Sequence, residues 1–123
     1  MSLNRVLRFR VRDEEQKMYH YFGFEDIRSD GCLLYYGSDS IGDYTYIDVT
    51  KLPVEQFTGL HDANGREIYE NDIIKAGAEQ APVFWHDFVG AWAWAKGENW
   101  GMIRSHDVVV VGNVHEDPDL LEA

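Results

Sequence analysis

Four histidines in the chain are followed directly by a carboxylate residue, in the pairs His61-Asp62, His86-Asp87, His106-Asp107 and His115-Glu116. Histidine and carboxylate side chains are common metal ligands and common general bases. Adjacent residues of a strand point to opposite faces, so such a pair does not form a site by itself. The helical zinc motif with two histidines four residues apart is also absent. We therefore predict turn and surface roles for these pairs, with no bound metal and no cofactor. A small metal-dependent hydrolase stays open as an alternative.

A second candidate for chemistry is the segment of residues 62–66, which begins like a calcium-binding loop. An EF-hand loop requires glycine at its sixth position and glutamate at its twelfth, and here those positions hold Glu67 and Ile73. The pair Asn64-Gly65 is typical of a tight hairpin turn, because both residues tolerate a positive φ. The segment therefore predicts a turn rather than a calcium site.

Nucleophilic catalysis has no recognisable motif in this sequence. A GxSxG elbow, a Walker loop and a dinucleotide-binding fingerprint are all absent. The single cysteine, Cys32, precedes an apolar run, so we predict a buried and inert thiol. The sequence therefore argues against an enzyme without deciding the matter, and it assigns no catalytic residue.

The charge of the chain limits the partners that it can bind. It carries 22 acidic and 11 basic residues, a formal net charge of −11 and a pI near 4.7. Binding to nucleic acids and to anionic membranes depends on cationic side chains, so this balance disfavours both. One alternative use of the acidic charge is to mimic DNA and so inhibit a basic host protein. No apolar run approaches the length of a membrane span and no signal-peptide core is present, which predicts a cytoplasmic protein.

Arginines alternate with apolar residues near the start of the chain, where Arg8, Arg10 and Arg12 occupy one face of a predicted strand. This row is a candidate interaction surface, since it could contact phosphates or an acidic partner. The competing interpretation, which we favour, is that the arginines pair across strands with the carboxylates of the chain itself.

A second candidate interaction surface lies in the aromatic-rich segment of residues 84–100. Trp92 and Trp94 share one face of a predicted strand, and the alanines between and beside them occupy the other face. The large rings of this segment are those of Phe84, Trp85, Phe88, Trp92, Trp94 and Trp100. A small domain has limited room for large rings, so some of them could contribute to an interface, with Trp85, Trp92 and Trp94 as the leading candidates. Packing of these rings in the core is the interpretation that the pattern favours.

Short strands must position all of these residues. Residues 5–12 and 17–24 predict an N-terminal hairpin, and residues 56–74 predict a strand–turn–strand unit. The continuously apolar residues 108–111 predict a strand buried on both sides, and Pro118 opens a short helical turn at residues 119–122. Many short strands separated by turn residues indicate one mainly β domain over residues 1–123, built as a compact barrel or sandwich.

Three segments of the chain resemble the YopX family of phage and prophage proteins, in the expected order. They are residues 8–13 (RFRVRD) followed by Lys17-Met18, residues 56–74 (QFTGLHDANGREIYENDII) and residues 110–122 (VVGNVHEDPDLLE). The second segment resembles the hallmark of the family, from which it departs at Asn71, where similar sequences often have glycine.

The resemblance implies a small SH3-like β-barrel with extra short strands and a short C-terminal helical turn. It also implies a phage or prophage origin, hence a bacterial host, and it brings no catalytic residue with it. We therefore expect an accessory protein that acts by contact with a host or phage protein, or as a homo-oligomer. Because SH3-like barrels sometimes bind nucleic acids, binding through Arg8, Arg10 and Arg12 stays as a further alternative.

Overall fold

The computed structural model describes residues 7–36 and 44–122, apart from the side chains of residues 33–36 and 44–46. The chain divides into two compact units, which we describe separately: the N-terminal unit, residues 7–55, and the C-terminal unit, residues 56–122. The mainly β class is confirmed, because the described residues form eleven short strands and two 3-10 helices. The SH3-like form of the barrel and the single domain over residues 1–123 stay predictions.

The N-terminal unit is built from two antiparallel strand pairs. Its elements are β1 (Phe9–Asp13), β2 (Met18–Phe22), a 3-10 helix (Phe24–Asp26), β3 (Cys32–Tyr36), β4 (Tyr44–Asp48) and the first residues of β5 (Val54–His61). β1 and β2 form the predicted N-terminal hairpin, and β3 pairs with β4. Val11, Phe22 and Ile47 are buried together as the core of this unit. Because successive residues of a strand face opposite sides, the inward position of Val11 places Arg10 and Arg12 on the other face of β1.

The C-terminal unit contains a five-stranded antiparallel sheet in the order β10-β9-β8-β7-β11. Its elements are the rest of β5, β6 (Glu67–Tyr69), β7 (Asp72–Ala76), β8 (Glu79–His86), β9 (Ala91–Lys96), β10 (Asn99–Met102), β11 (Val109–Asn113) and a 3-10 helix (Pro118–Leu121). That last helix confirms the predicted C-terminal helical turn. Among the described residues, no helix has the length and apolar character of a membrane span.

The core of the C-terminal unit consists of aliphatic side chains from several strands. Ile68, Ile74, Val83, Ile103, Val108 and Val110 are buried together, and Trp92 and Trp94 pack against them. Each aliphatic side chain contributes about 1.5–3 kcal/mol by leaving water, so this cluster is a main source of stability for the unit.

The predicted burial of residues 108–111 on both sides is wrong. Val108 and Val110 are buried, whereas Val111 is 37% exposed. β11 is an edge strand of the five-stranded sheet, with a register shift between Val110 and Gly112. An edge strand of an antiparallel sheet commonly covers the core with one face and meets solvent with the other.

The predicted strand–turn–strand unit of residues 56–74 is confirmed as β5, a turn, β6 and β7. The turn is closed by the N–H of Gly65, which donates to the carbonyl oxygen of Asp62 over 3.0 Å. Gly65 has a φ of +83°, whereas Asn64 keeps a negative φ, so only one of the two predicted turn residues requires the left-handed conformation. Glycine adopts this conformation without the steric cost of a Cβ atom.

Candidate functional site

The arginine row lies largely inside the N-terminal unit. Nε of Arg10 donates to Oε1 of Glu55 over 2.7 Å, and both side chains are about 3% exposed. The guanidinium of Arg10 also lies 4.1 Å from the centre of the Tyr19 ring. Arg12, whose side chain is 9% exposed, approaches Glu14 to 3.7 Å, while Arg8 is exposed. The predicted pairing with carboxylates of the same chain thus occurs for Arg10 and Arg12, and the role of the arginine row as an interaction surface stays a prediction.

The histidine–carboxylate pairs are dispersed over turns and strand ends. His106 has a φ of +72° and its Nδ1 lies 3.3 Å from the carbonyl oxygen of Asp62, which is a turn contact. The backbone N–H of His115 donates to Oδ1 of Asn113. Within residues 7–36 and 44–122, no three His, Cys, Asp or Glu side chains come together as a possible metal site.

Cys32 is half-buried rather than fully buried. Partial burial raises the pKa of its thiol, and the nearby carboxylates of Asp30 and Asp48 raise it further. A thiol must lose its proton to act as a nucleophile, so these surroundings oppose reactivity. The predicted inert character of Cys32 therefore has a physical basis, although its predicted burial is only partial.

Asp62 is a structural residue at the centre of the turn between β5 and β6. Its carboxylate is 1% exposed and accepts the backbone N–H groups of Asn64, Arg66 and Val110 over 2.9–3.0 Å. Burial by itself raises the pKa of this carboxyl, but these three bonds, led by that from Val110, and the charge of Arg66 leave the pKa below its ordinary value. The segment that resembles a calcium loop thus joins the turn to β11 through a carboxylate that binds the chain itself.

A small open cleft of about 360 Å³ lies in the N-terminal unit. Its lining is of mixed charge and comprises Arg12, Asp13, Glu14, Glu15, Ile47, Asp48, Lys51 and Leu52. Several of these charges neutralise each other, since Lys51 lies 3.9 Å from Asp48 and Arg12 lies 3.7 Å from Glu14. The cleft contains no nucleophile and base in contact, and it offers no assembled catalytic group.

The three predicted surface tryptophans lie on the core-facing side of the five-stranded sheet. Trp85 is directly opposite Trp92 on the neighbouring strand, and their rings meet edge to face at 5.3 Å. Trp94 is opposite Val83 of the core. Trp92 and Trp94 are half-buried, whereas Trp85 is 45% exposed. This face therefore belongs mainly to the core, as the favoured interpretation predicts.

The opposite side of the same sheet carries an aromatic strip that is open to solvent. The ring of Phe84 lies 5.8 Å from that of His86, and His86 lies 5.3 Å from Trp100. Trp100 and Met102 are 52% and 51% exposed. They alternate with Gly101, where a Cβ atom would come within 3.0 Å of Trp94 on the other face. We call Phe84, His86, Trp100 and Met102 the aromatic face.

Phe88 lies in the turn between β8 and β9, where it is 93% exposed. Met102 was not among the residues that the sequence singled out, and Phe88 and Trp100 were named only as members of the aromatic set of residues 84–100. The available signal was the hairpin of β9 and β10 around Gly97, whose φ is +60°. Its register sets Trp100 opposite Ala95 and so places that ring on the alanine side of the sheet.

Comparison with known proteins finds a family model and solved structures that match the chain. The family model described as YopX protein matches residues 8–122. The crystal structure of protein EF1440 from Enterococcus faecalis superposes with a TM-score of 0.58 at 23% identity, covering 97% of this chain and all of that one. At this identity the likeness shows a shared fold alone. No curated protein matches the chain.

Proposed function

This chain belongs to the YopX family, and we propose that it is a non-enzymatic accessory protein of a phage or prophage. In this proposal it acts by protein contact in the cytoplasm of a bacterial host, and the contact surface is the aromatic face. The observation that carries the proposal is the exposure of about half of Trp100 and Met102 on β10, together with the almost fully exposed Phe88 in the turn between β8 and β9.

Exposed aromatic and methionine side chains are characteristic of binding surfaces. Interface cores are enriched in these residues and poor in charged ones, and aromatic anchors often carry most of the binding energy. On the aromatic face the exposed rings are held in place, because Phe84, His86 and Trp100 contact one another along the sheet. A rigid ring loses little conformational entropy on binding, which favours contact over simple solvation.

The alternatives receive less support from the described residues. Arg10 is buried against Glu55 and is not accessible to a nucleic acid, so the arginine row offers fewer cations for such binding than the sequence suggests. Mimicry of DNA relies on exposed carboxylates, whereas Glu55, Asp62 and Asp72 are buried and serve the fold. A metal-dependent hydrolase requires converging ligands, and no three His, Cys, Asp or Glu side chains are grouped among the described residues, although the backbone N–H of His106 donates to the carbonyl oxygen of His61 over 3.0 Å.

Site-specific photo-cross-linking in bacterial cells that express the chain tests this proposal. A photoreactive phenylalanine analogue at position 100 should give a protein adduct, and the additional change Phe88→Ser should weaken that adduct severalfold. The matched control is the same analogue at position 111 on β11, an exposed valine at the other edge of the sheet. If the analogue at position 100 gives no more cross-linked adduct than the analogue at position 111, the aromatic face is not a contact surface.

A further inference from the structure

The turn between β5 and β6 contains the pair Asn64-Gly65, the one position in the chain where glycine follows asparagine. Both residues are exposed. At such a pair the backbone nitrogen of the glycine can attack the side-chain amide of the asparagine, which converts the asparagine into an acid. Glycine favours this attack because it carries no Cβ atom beside the nitrogen. A Cβ atom at Gly65 would meet nothing within 4 Å, so no neighbouring segment crowds the pair from that side.

The other described asparagines lack this combination. Asn71, Asn99 and Asn113 are followed by aspartate, tryptophan and valine, whose side chains stand beside the nitrogen that would attack. Asn113 is buried and Asn71 is half-buried, whereas Asn99 is exposed like Asn64. Asn64 is therefore the described asparagine whose following residue hinders the reaction least.

Hydrogen bonds of the turn hold the attacking nitrogen away from this reaction. The N–H of Gly65 donates to the carbonyl oxygen of Asp62 over 3.0 Å. Oδ1 of Asp62 accepts the N–H of Asn64 and the N–H of Arg66, each over 2.9 Å. The Asp62 carboxylate thus fixes the backbone on both sides of the Asn64-Gly65 peptide bond. Attack requires the Gly65 nitrogen to lose its proton and to turn towards the Asn64 side chain, so it requires local opening of the turn.

We propose that Asn64 is a site of spontaneous deamidation, and that the Asp62 carboxylate sets its rate by keeping the turn closed. In the open turn the Gly65 nitrogen loses its proton to the solvent and attacks Cγ of Asn64. A C–N bond forms, the side-chain nitrogen of Asn64 leaves as ammonia, and a cyclic imide results. Water then opens the imide at one of its two carbonyl groups and gives aspartate or isoaspartate. The sum of these steps is the reaction of an amide with water to a carboxylic acid and ammonia.

The product changes both the charge and the geometry of the turn. Aspartate and isoaspartate each add one negative charge to a chain whose net charge is −11. In isoaspartate the main chain also runs through the former side chain of residue 64, which lengthens the turn by one atom. That atom lies between the N–H of Gly65 and the carbonyl oxygen of Asp62, so their bond no longer closes the same ring. We therefore expect conversion to loosen the turn.

Peptide mapping by mass spectrometry tests the proposal, with the purified chain kept at mildly alkaline pH either folded or unfolded in urea. In the folded chain we expect Asn64 to convert before Asn99, the exposed internal control that precedes a large ring. In urea the turn is open, and conversion of Asn64 should be about ten- to hundredfold faster than in the folded chain.

Amide hydrogen exchange at Gly65 supplies an independent measure of turn opening. The same N–H must leave the carbonyl oxygen of Asp62 both for exchange and for attack. The fraction of open turn from exchange, multiplied by the conversion rate in urea, should therefore equal the conversion rate in the folded chain within about threefold. This comparison uses the unchanged chain and does not depend on whether any variant folds.

Asp62→Ala removes the acceptor of the N–H groups of Asn64 and Arg66. It should raise the conversion rate of Asn64 in the folded chain about tenfold and leave the rate in urea unchanged. The matched control is Asp87→Ala, which removes an exposed carboxylate from the turn between β8 and β9 and should change neither rate.

Conversion of Asn64 no faster than that of Asn99 in the folded chain overturns the assignment of the site. Equal rates in the folded and the unfolded chain, or a folded rate that disagrees with the opening measured by exchange, overturn the role of the turn. An Asp62→Ala variant that is folded but converts no faster than Asp87→Ala overturns the role of the Asp62 carboxylate.

Discussion

Removal of the Glu55 carboxylate should destabilise the chain strongly, because it leaves the Arg10 guanidinium buried without its counter-charge. The two groups are 2.7 Å apart, with about 3% of each side chain exposed, and 45 residues separate them in the sequence. Removing one partner of a buried pair costs about 3–5 kcal/mol, whereas an exposed pair contributes about 0–1 kcal/mol. We expect Glu55→Leu to lower the free energy of unfolding by about 3–5 kcal/mol. For a chain of this size, that loss corresponds to a decrease in Tm of about 10–20 °C.

A double-mutant cycle separates the pair from the loss of packing. Arg10→Met/Glu55→Leu replaces both charges by apolar groups and should recover most of the stability lost in Glu55→Leu, because no buried charge is left without a partner. Glu15→Leu removes an exposed carboxylate of the same unit that forms no ion pair with another described residue, and it should change the free energy of unfolding by less than about 0.5 kcal/mol.

Urea unfolding followed by far-UV circular dichroism is the appropriate assay. All four tryptophans lie in the C-terminal unit, so tryptophan fluorescence by itself does not report on Arg10 and Glu55. A cost below about 1 kcal/mol for Glu55→Leu, with no recovery in the double variant, means that the pair behaves like an exposed one. Our argument that Arg10 belongs to the interior rather than to a binding surface then fails.

Two further substitutions test the structural interpretation of the hallmark segment. Asp62→Asn should cost about 2–4 kcal/mol at pH 7, because an amide donor cannot accept the N–H of Val110. In the folded chain the pKa of Asp62 lies below its ordinary value of 3.8. The stabilising effect of its carboxylate is therefore complete well above pH 3.8 and is lost as the pH falls through the folded pKa. In urea titrations at acid pH, the difference in free energy of unfolding between Asp62→Asn and the unchanged chain should therefore narrow. Asn71 has a φ of +68°, a left-handed conformation that alanine adopts only at a steric cost. Asn71→Ala should therefore lower the free energy of unfolding by about 1–2 kcal/mol, and Asn71→Gly by clearly less. Equal effects of the two substitutions in thermal unfolding contradict this explanation.

Much of the fold could be predicted because it depends on local patterns. The alternation in β1 predicted a strand with Val11 inward, and the turn residues at Asn64-Gly65 predicted the boundary between β5 and β6. Asn71 illustrates the same dependence, since its φ of +68° lies in the left-handed region, which asparagine and glycine adopt more easily than other residues. The run of valines at residues 108–111 predicted a strand but not its exposure, because a run of apolar residues does not show whether a strand is central or at an edge.

The candidate site depended far more on tertiary structure. Arg10 is buried because it pairs with Glu55, which lies 45 positions away in the sequence. No local pattern connects the two residues. The sequence pointed to an aromatic set and, within it, to Trp85, Trp92 and Trp94. The most exposed apolar residue of this region is instead Phe88, and the more exposed residues of β10 are Trp100 and Met102.

The sequence by itself determined the mainly β class, the family, and the turn chemistry of residues 56–74. These follow from the types and spacing of neighbouring residues, which set backbone preferences and side-chain alternation directly. Only the tertiary structure decided which side of the five-stranded sheet meets solvent and that β10 lies at its edge. The physical reason is that burial and edge position depend on which strands pair over long sequence distances, and strands of similar composition can be arranged in several orders.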